Sequence, residues 1–200
     1  MSMSKEGPFH LNDDEIIERL RTDDSKIIDT IHKTCLDLLT DEDDRTKLID
    51  TKGSALLGMS GLSASIVFSL GGILIEKISN TPLPIIGCPI PWLVLFYITS
   101  SLTLLLSILF ALLAIRSRSD WRSMKDEDIF RADMIREGIN PYKRYMTVHA
   151  WKIYTNNFIV NEKKGKNLKI GHLLFFIALL QLLPIILIIG LYAYLKGGLS

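Results

Sequence analysis

Three stretches of this chain, residues 53–75, 91–115 and 171–195, contain no Asp, Glu, Lys or Arg. Their hydrophobicity is clumped rather than periodic, which a soluble core does not require. At ~1.5 Å rise per residue, helices of about this length cross the ~30 Å hydrocarbon core of a bilayer. No segment shows the alternation of a strand, and no internal repeat is visible. The pattern predicts an all-α integral membrane protein with three transmembrane helices and cytoplasmic helical extensions. The segments are 1–52 (acidic, cytoplasmic), 53–75 (span one), 76–90 (short outer loop) and 91–115 (span two). A basic cytoplasmic segment, 116–170, then leads to span three, 171–195, and an outer tail, 196–200.

Polar punctuation divides the extensions. Residues 1–11 read as disordered, and Asn12 before Asp13, Asp14 and Glu15 reads as the N-cap of a short helix ending near Arg21. Asp24-Ser25 opens an amphipathic helix with Ile27, Ile28, Ile31, Cys35, Leu38 and Leu39 on one stripe. Thr40 and Asp43 have the spacing of a capping box, predicting a new helix from about 41 to 75, roughly 50 Å long. After span two, helix is expected to about Arg118. A further helix starts at Ser123 and ends at Gly138, and Asn140-Pro141 begins the last one. That helix meets no strong breaker before span three. In it Tyr142, Met146, His149, Ile153, Asn156 and Val160 form an a/d seam, with His149 and Asn156 as polar register-setters.

Charge fixes an orientation. Of the 23 Lys and Arg residues, 21 lie in 1–52 and 116–170, leaving Lys77 and Lys196 outside them. Placing both basic-rich segments inside predicts a multi-pass protein of the cell (inner) membrane, N-terminus cytoplasmic and C-terminus outside. The start lacks the apolar h-region of a signal peptide, so span one is expected to act as an uncleaved anchor. The overall charge of +1 conceals a split. Segment 1–52 has 8 basic and 14 acidic residues, net −6, and segment 116–170 has 13 basic and 7 acidic, net +6. The two segments can dock on each other, stay solvated, or place the basic one on anionic lipid headgroups at ~1 kcal/mol per charge. Cys35 and Cys88 fall on opposite sides of the membrane in this topology. Cys88 is then a packed thiol or, on an oxidising outer face, an intersubunit disulfide partner.

The spans offer packing chemistry and little else. Span one lines up Ser54, Gly58, Gly61, Ser65, Ser69 and Gly72, and span two Ser100, Thr103, Ser107, Ala111 and Ala114. Small faces permit close backbone approach. Two arrangements stay open: an antiparallel hairpin of spans one and two zipped along these faces, or a face reserved for oligomerisation. Pro82, Pro84 and Pro89 suit an interfacial hairpin top or a re-entrant loop, with Trp92 as an interfacial anchor. In span three, Gln181 beside Pro184 marks a hinge or oligomer contact, or an amide bonded within its own bundle. No ionisable group lies within the spans except His172 at the inner boundary, which argues against ion-coupled transport.

Catalytic signatures are missing. There is no phosphate loop, no His-Glu-x-x-His and no Cys-x-x-Cys; His10, His32, His149 and His172 share no metal-ligand spacing. Asp41 to Asp44 reads as a solvated helix start or a weak cation attractor, and Ser60, between Met59 and Gly61, has no partner base. The basic cluster of Lys163, Lys164, Lys166 and Lys169 favours lipid headgroups over nucleic acid. No catalytic residue, cofactor or metal site is assigned. The partners expected are the lipid bilayer, its anionic headgroups, and further copies or a membrane partner.

Two short motifs resemble a known family. Residues 45–58, Arg-Thr-Lys-Leu-Ile-Asp-Thr-Lys-Gly-Ser-Ala-Leu-Leu-Gly, resemble the "D-x-K-A-x-x-L-L-G" entry to the first span of prokaryotic Pycsar-effector-like membrane proteins, with Gly53 in place of Ala. Residues 156–163, Asn-Asn-Phe-Ile-Val-Asn-Glu-Lys, are similar to the "N-x-x-x-N-x-x-K" approach to the last span of related three-span proteins. The resemblance covers 40–195 in architecture. It implies a defence effector that impairs the inner membrane when a nucleotide signal arrives. By the same resemblance Asp50, Lys52 and Asn157 are candidate functional positions, although juxtamembrane capping and snorkelling also account for them. Gly58, Gly61, Ser65, Ser69, Ser107 and Gln181 are the candidate helix-packing positions. The alternatives are a structural or regulatory subunit of a membrane complex, or a small oligomeric channel.

Overall fold

A computed structural model describes residues 13–22, 24–80, 90–116 and 121–197. Among these there are six helices and no strand: α1 (Asp13–Arg19), α2 (Ser25–Asn80), α3 (Ile90–Arg116), α4 (Asp126–Ile129), α5 (Ala132–Glu137) and α6 (Ile139–Gly197). Three of them, α2, α3 and α6, are long and apolar enough to cross a membrane. The expectations about the first 12 residues, the outer prolines and Cys88 fall outside the described residues, as does the Trp92 side chain.

Helix α2 departs from its predicted boundaries. The Asp24 carboxylate accepts the Lys26 amide at 2.9 Å and caps the helix, but no second helix starts at Thr40. The Thr40 hydroxyl donates instead to the Leu36 carbonyl at 3.0 Å, the bond a threonine makes inside a helix. A capping box needs an interrupted backbone, and nothing between Ser25 and Asn80 interrupts it. At ~1.5 Å per residue the 56 residues of α2 span roughly 84 Å. The region predicted as one helix from Ser123 to Gly138 is divided into α4 and α5. Gly138 closes α5 at φ 109°, a left-handed value that favours glycine. Helix α6 runs 59 residues, continuous through Gly165 into span three as its lack of strong breakers there predicted, and it also contains Pro184.

The chain forms two units. The first takes the described residues of 1–48 and 117–163. Its apolar interior holds Leu20, Ile28 and Cys35 from the N-terminal side and Met146, Val148, Ala150, Ile153 and Val160 from α6. The Lys143 ammonium pairs with Asp29, and the His32 ring bonds the Thr147 hydroxyl at 3.2 Å. The α6 seam is buried at Met146, Ala150, Ile153, Asn157 and Val160. Tyr142, His149 and Asn156, named for that seam, are only half-buried beside it. Tyr145 and His149 stack at 6.0 Å on the flank.

The second unit, the described residues of 49–116 and 164–200, is a three-helix bundle. Its interior sets Ser60, Ser100, Ser107 and several alanines among buried Leu56, Leu104, Phe175 and Ile185, whereas Leu62, Ile66, Leu102, Leu109, Leu173 and Leu180 stand exposed outside. A surface of large apolar side chains suits lipid as solvent, and the small residues inside let the helices approach. The Ser107 hydroxyl donates to the Gly171 carbonyl at 2.9 Å, so Ser60, 3.1 Å away, donates to Ser107. Ser100 donates to the Ala178 carbonyl at 3.1 Å. Span two therefore buries its small face, with Ser100, Ser107, Ala111 and Ala114 all inside.

Span one does not use the face the zipped hairpin requires. Its inward residues are Gly53, Leu56, Ser60, Ala64, Val67 and Gly71, at steps of three and four. The Ser54, Gly58, Ser65, Ser69 and Gly72 stripe lies about 130° round the helix at 100° per residue and is exposed, with Gly61 half-exposed. Ser65 and Ser69 donate to carbonyls of their own helix, Gly61 and Ser65. The close approaches are made elsewhere. A Cβ on Gly171 would stand 2.9 Å from Leu56, one on Gly53 3.0 Å from Ile115, and one on Gly71 2.0 Å from the Tyr97 hydroxyl.

Candidate functional site

Polar residues continue the buried seams of α2 and α6 where each helix approaches its apolar run. In the first unit Glu42 and Thr46, four apart on α2, face Asn161 on α6. The Asn161 amide donates to the Glu42 carboxylate at 2.6 Å and to the Glu42 carbonyl at 3.0 Å. The Thr46 hydroxyl lies 3.0 Å from the Asn161 amide oxygen and 2.9 Å from the Glu42 carbonyl. All three residues are buried. Arg45 pairs with Glu42 and Glu162 and lies over the Phe158 ring at 5.4 Å. The hydrogen bond to Glu162 foremost, with the Glu42 charge, holds its guanidinium above the usual arginine range. Asn161 and Arg45 thus each meet one oxygen of a buried carboxylate, which a low-dielectric site demands.

One turn earlier on α6, Asn157 secures the chain that follows span two. Its amide oxygen accepts the Arg122 amide at 3.0 Å, and its amide nitrogen donates to the Arg122 carbonyl at 2.9 Å. Asn157 is 1% exposed. Asn157→Ala deprives both backbone groups of their partner and is expected to cost about 1–3 kcal/mol. Hydrogen exchange at the Arg122 amide checks this: protection falls by one to two orders of magnitude, on the order of 1.4 kcal/mol per tenfold change. Unchanged protection would show that Asn157 is only a packing residue.

In the second unit Lys164, 0% exposed, donates to the Asp50 carboxylate at 2.6 Å. The Asp50 side chain is 16% exposed. Lys52, two residues on, is exposed. The structure thus brings Asp50 to a partner that the sequence reading did not single out, and leaves Lys52 at the surface. Asn157, Asn161 and Lys164 sit at steps of four and three, the spacing of the "N-x-x-x-N-x-x-K" motif. The sequence reading missed Glu42, Thr46, Asn161 and Lys164. The signal that finds them is the three-four rhythm itself, continued past the apolar residues into polar ones.

A half-buried titratable group, His32, lies elsewhere in the first unit. Burial, foremost, and the nearby Lys143 charge push the His32 imidazole below its ordinary value of 6.5, against a weaker opposing pull from Asp29. The folded state therefore favours the neutral ring. Unfolded chains take up the proton first as pH falls, so this stability is complete above about 6.5 and is lost through the folded value below it. Thermal unfolding of the wild type is expected to weaken on acidification from 7.5 to 5.5. In His32→Gln that part of the pH dependence disappears; an unchanged slope would contradict it.

Chemically, the arrangement fixes register. Among the described residues no three His, Cys, Asp or Glu side chains converge to hold a metal ion. Buried amide, carboxylate and ammonium groups tolerate only the alignment in which each meets its partner, so sliding or rotating α2 against α6 strands them. Of the predicted packing residues, Ser107 is at the centre of the hydroxyl chain and Gly58, Gly61, Ser65 and Ser69 are on the outer stripe. Gln181 is half-buried, and its amide oxygen, shielded from solvent, accepts no hydrogen bond among the described residues.

An all-helical protein with three membrane-length helices, whose bundle also exposes large apolar side chains, is an integral membrane protein. A family profile described as Pycsar effector protein domain, PycTM, matches residues 35–193. The chain belongs to this family of membrane effectors in antiviral defence, which is not named for an enzymatic activity. No curated protein and no solved structure matches it significantly.

Proposed function

We propose that this chain impairs the cell membrane as an antiviral defence effector, with cytoplasmic helices that receive a signal and spans that associate. The observation that carries the reading is the buried polar seam. Lys164 and Asp50, like Glu42, Thr46 and Asn161, sit on the two helices that also supply spans. A helix is stiff along its axis, so an input that turns α2 or α6 reaches the bilayer along the same backbone. Charged groups without water at this level make the register two-state rather than graded.

The charge distribution supports an inside N-terminus and an outside C-terminus. The exposed Gly58–Gly61–Ser65–Ser69 stripe supports association through span one, since its glycines meet nothing within 4 Å in the protomer. The exposed Lys163, Lys166 and Lys169 suit anionic headgroups, Lys164 being turned inward to Asp50. The test is expression of the full chain in bacteria challenged with phage. Infected cultures carrying wild-type chain are expected to arrest early and yield fewer phage, and Lys164→Ala to abolish both effects. Equal phage yield from wild type, variant and empty vector would favour a structural or regulatory subunit.

A further inference from the structure

Three contacts fix which residues of the second unit share a depth along the bundle. A Cβ on Gly53 would stand 3.0 Å from Ile115, and one on Gly171 2.9 Å from Leu56. Lys164 meets Asp50 at 2.6 Å. Lys52 and Arg116 adjoin the first of these pairs, so they lie at one level on α2 and α3. On α6, Lys166 follows Lys164 by two residues and precedes Gly171 by five. Interpolation between their partners, Asp50 and Leu56, puts Lys166 at the level of Lys52. All three side chains are exposed, as is that of Lys169, three residues deeper. Each helix of the bundle thus sets a cation at the same depth, a collar where the uncharged runs begin.

This charge is not cancelled. Within four residues of Lys52, Arg116 and Lys166, that is in 48–56, 112–120 and 162–170, the chain has 7 basic residues and 3 acidic ones, net +4. Two of those acids are already engaged, Asp50 by Lys164 and Glu162 by Arg45. Past the collar the same three helices expose Met59 and Leu62, Leu109 and Leu112, Leu173 and Phe176. Nucleic acid or an acidic protein matches the cations but not the apolar surface that continues from them. A phospholipid matches both, with its phosphate at the collar and its acyl chains along the helices. We infer that the charged end of the bundle binds anionic phospholipid as a ligand. Lys52, Arg116 and Lys166 hold the headgroups, and Lys169 reaches back to them along its apolar stem. The inference carries the headgroup contact of the proposed function from α6 to all three helices. It rests on that contact and on a spanning bundle, not on loss of membrane potential.

The test is native mass spectrometry of the full-length chain in neutral detergent, titrated with phosphatidylglycerol or with phosphatidylcholine of the same acyl chains. Wild type is expected to bind phosphatidylglycerol about tenfold more tightly. Joint replacement of Lys52, Arg116 and Lys166 by Gln removes the preference. Each single Gln variant lowers it about twofold, so the result does not depend on the triple variant folding. Lys52→Arg with Lys166→Arg keeps it. Lys33→Gln, the same loss of charge at an exposed position 19 residues before Lys52 on α2, leaves it intact. Soluble glycerol phosphate, the headgroup without acyl chains, is expected to displace no lipid. Equal affinity for the two lipids overturns the inference. So does a preference that the triple variant keeps, or one that Lys33→Gln lowers as far as a collar variant does. Displacement by glycerol phosphate also overturns it, making the collar a site for a soluble anion. Lipid affinity is read on purified chain, so its failure is distinguishable from failure of the phage test.

Discussion

Lys164→Ala is expected to destabilise the three-helix unit by about 3–5 kcal/mol, a large share of the ~5–15 kcal/mol that holds a domain together. The reason is asymmetry. Lys164 is 0% exposed and Asp50 has its ammonium at 2.6 Å, so truncation leaves a carboxylate with little water to replace the lost charge. Removing both charges together strands neither. Asp50→Asn with Lys164→Met is accordingly expected to cost less than either single change, a coupling that a double-mutant cycle reads directly. Thermal unfolding of detergent-solubilised chain checks it. Additive single effects would show that the pair is not coupled, and a Lys164→Ala midpoint equal to wild type would remove the pair from the account.

Gly171→Val is the second large effect. A Cβ here would stand 2.9 Å from Leu56 Cδ2, 3.4 Å from Phe110 Cβ and 3.5 Å from the Ala111 backbone nitrogen. A leucine tip can yield, but the Phe110 Cβ and the Ala111 backbone move only with α3. The Gly171 carbonyl also receives the Ser107 hydroxyl, so separating the helices breaks the chain of serines. Overpacking of this kind costs about 1–3 kcal/mol, and two further methyl groups place Val at the upper end. Gly58→Val is the control. With nothing within 4 Å of its Cβ, it is expected to leave protomer unfolding within ~0.5 kcal/mol of wild type. The same substitution is expected to shift the oligomer distribution on a sizing column if the outer stripe carries association. Equal destabilisation by both valines would mean that the bundle is not packed as described.

The membrane-length helices were legible because charge is excluded from a spanning run and nothing else in a chain of this size produces that exclusion. The continuity of α6 into span three was legible because only Gly165, a weak breaker, lies between Pro141 and that span. Thr40 misled because a threonine hydroxyl serves equally as an N-cap acceptor and as a donor to the carbonyl four residues back. The α6 seam was placed with His149 and Asn156 each one residue early. Bulky Tyr142, His149 and Asn156 look like core, yet the interior takes Ala150 and Asn157, and the larger rings pack on the flank.

Span one shows a different limit. Two faces of that helix carry small residues, and the choice between them depends on what opposes them, which a single sequence does not display. Leu56 over Gly171 decides it. Lys164 was the least legible residue of the site. A lysine among lysines reads as a headgroup contact, and only its step of three from Asn161 marks it as interior. Asp50 and Asn157 were singled out from motif resemblance alone; the structure supplies the groups that each bonds, Lys164 and the Arg122 backbone.

On the proposed function, this chain lowers the barrier function of the membrane it occupies. The direct measurement is a membrane-potential dye in cells induced to express the full chain, with and without added cyclic nucleotides. The account predicts that the potential collapses in wild-type cells and is retained when Lys164→Ala chain is present in the membrane at the same level. An intact potential at high wild-type expression, under every nucleotide supplied, would contradict it.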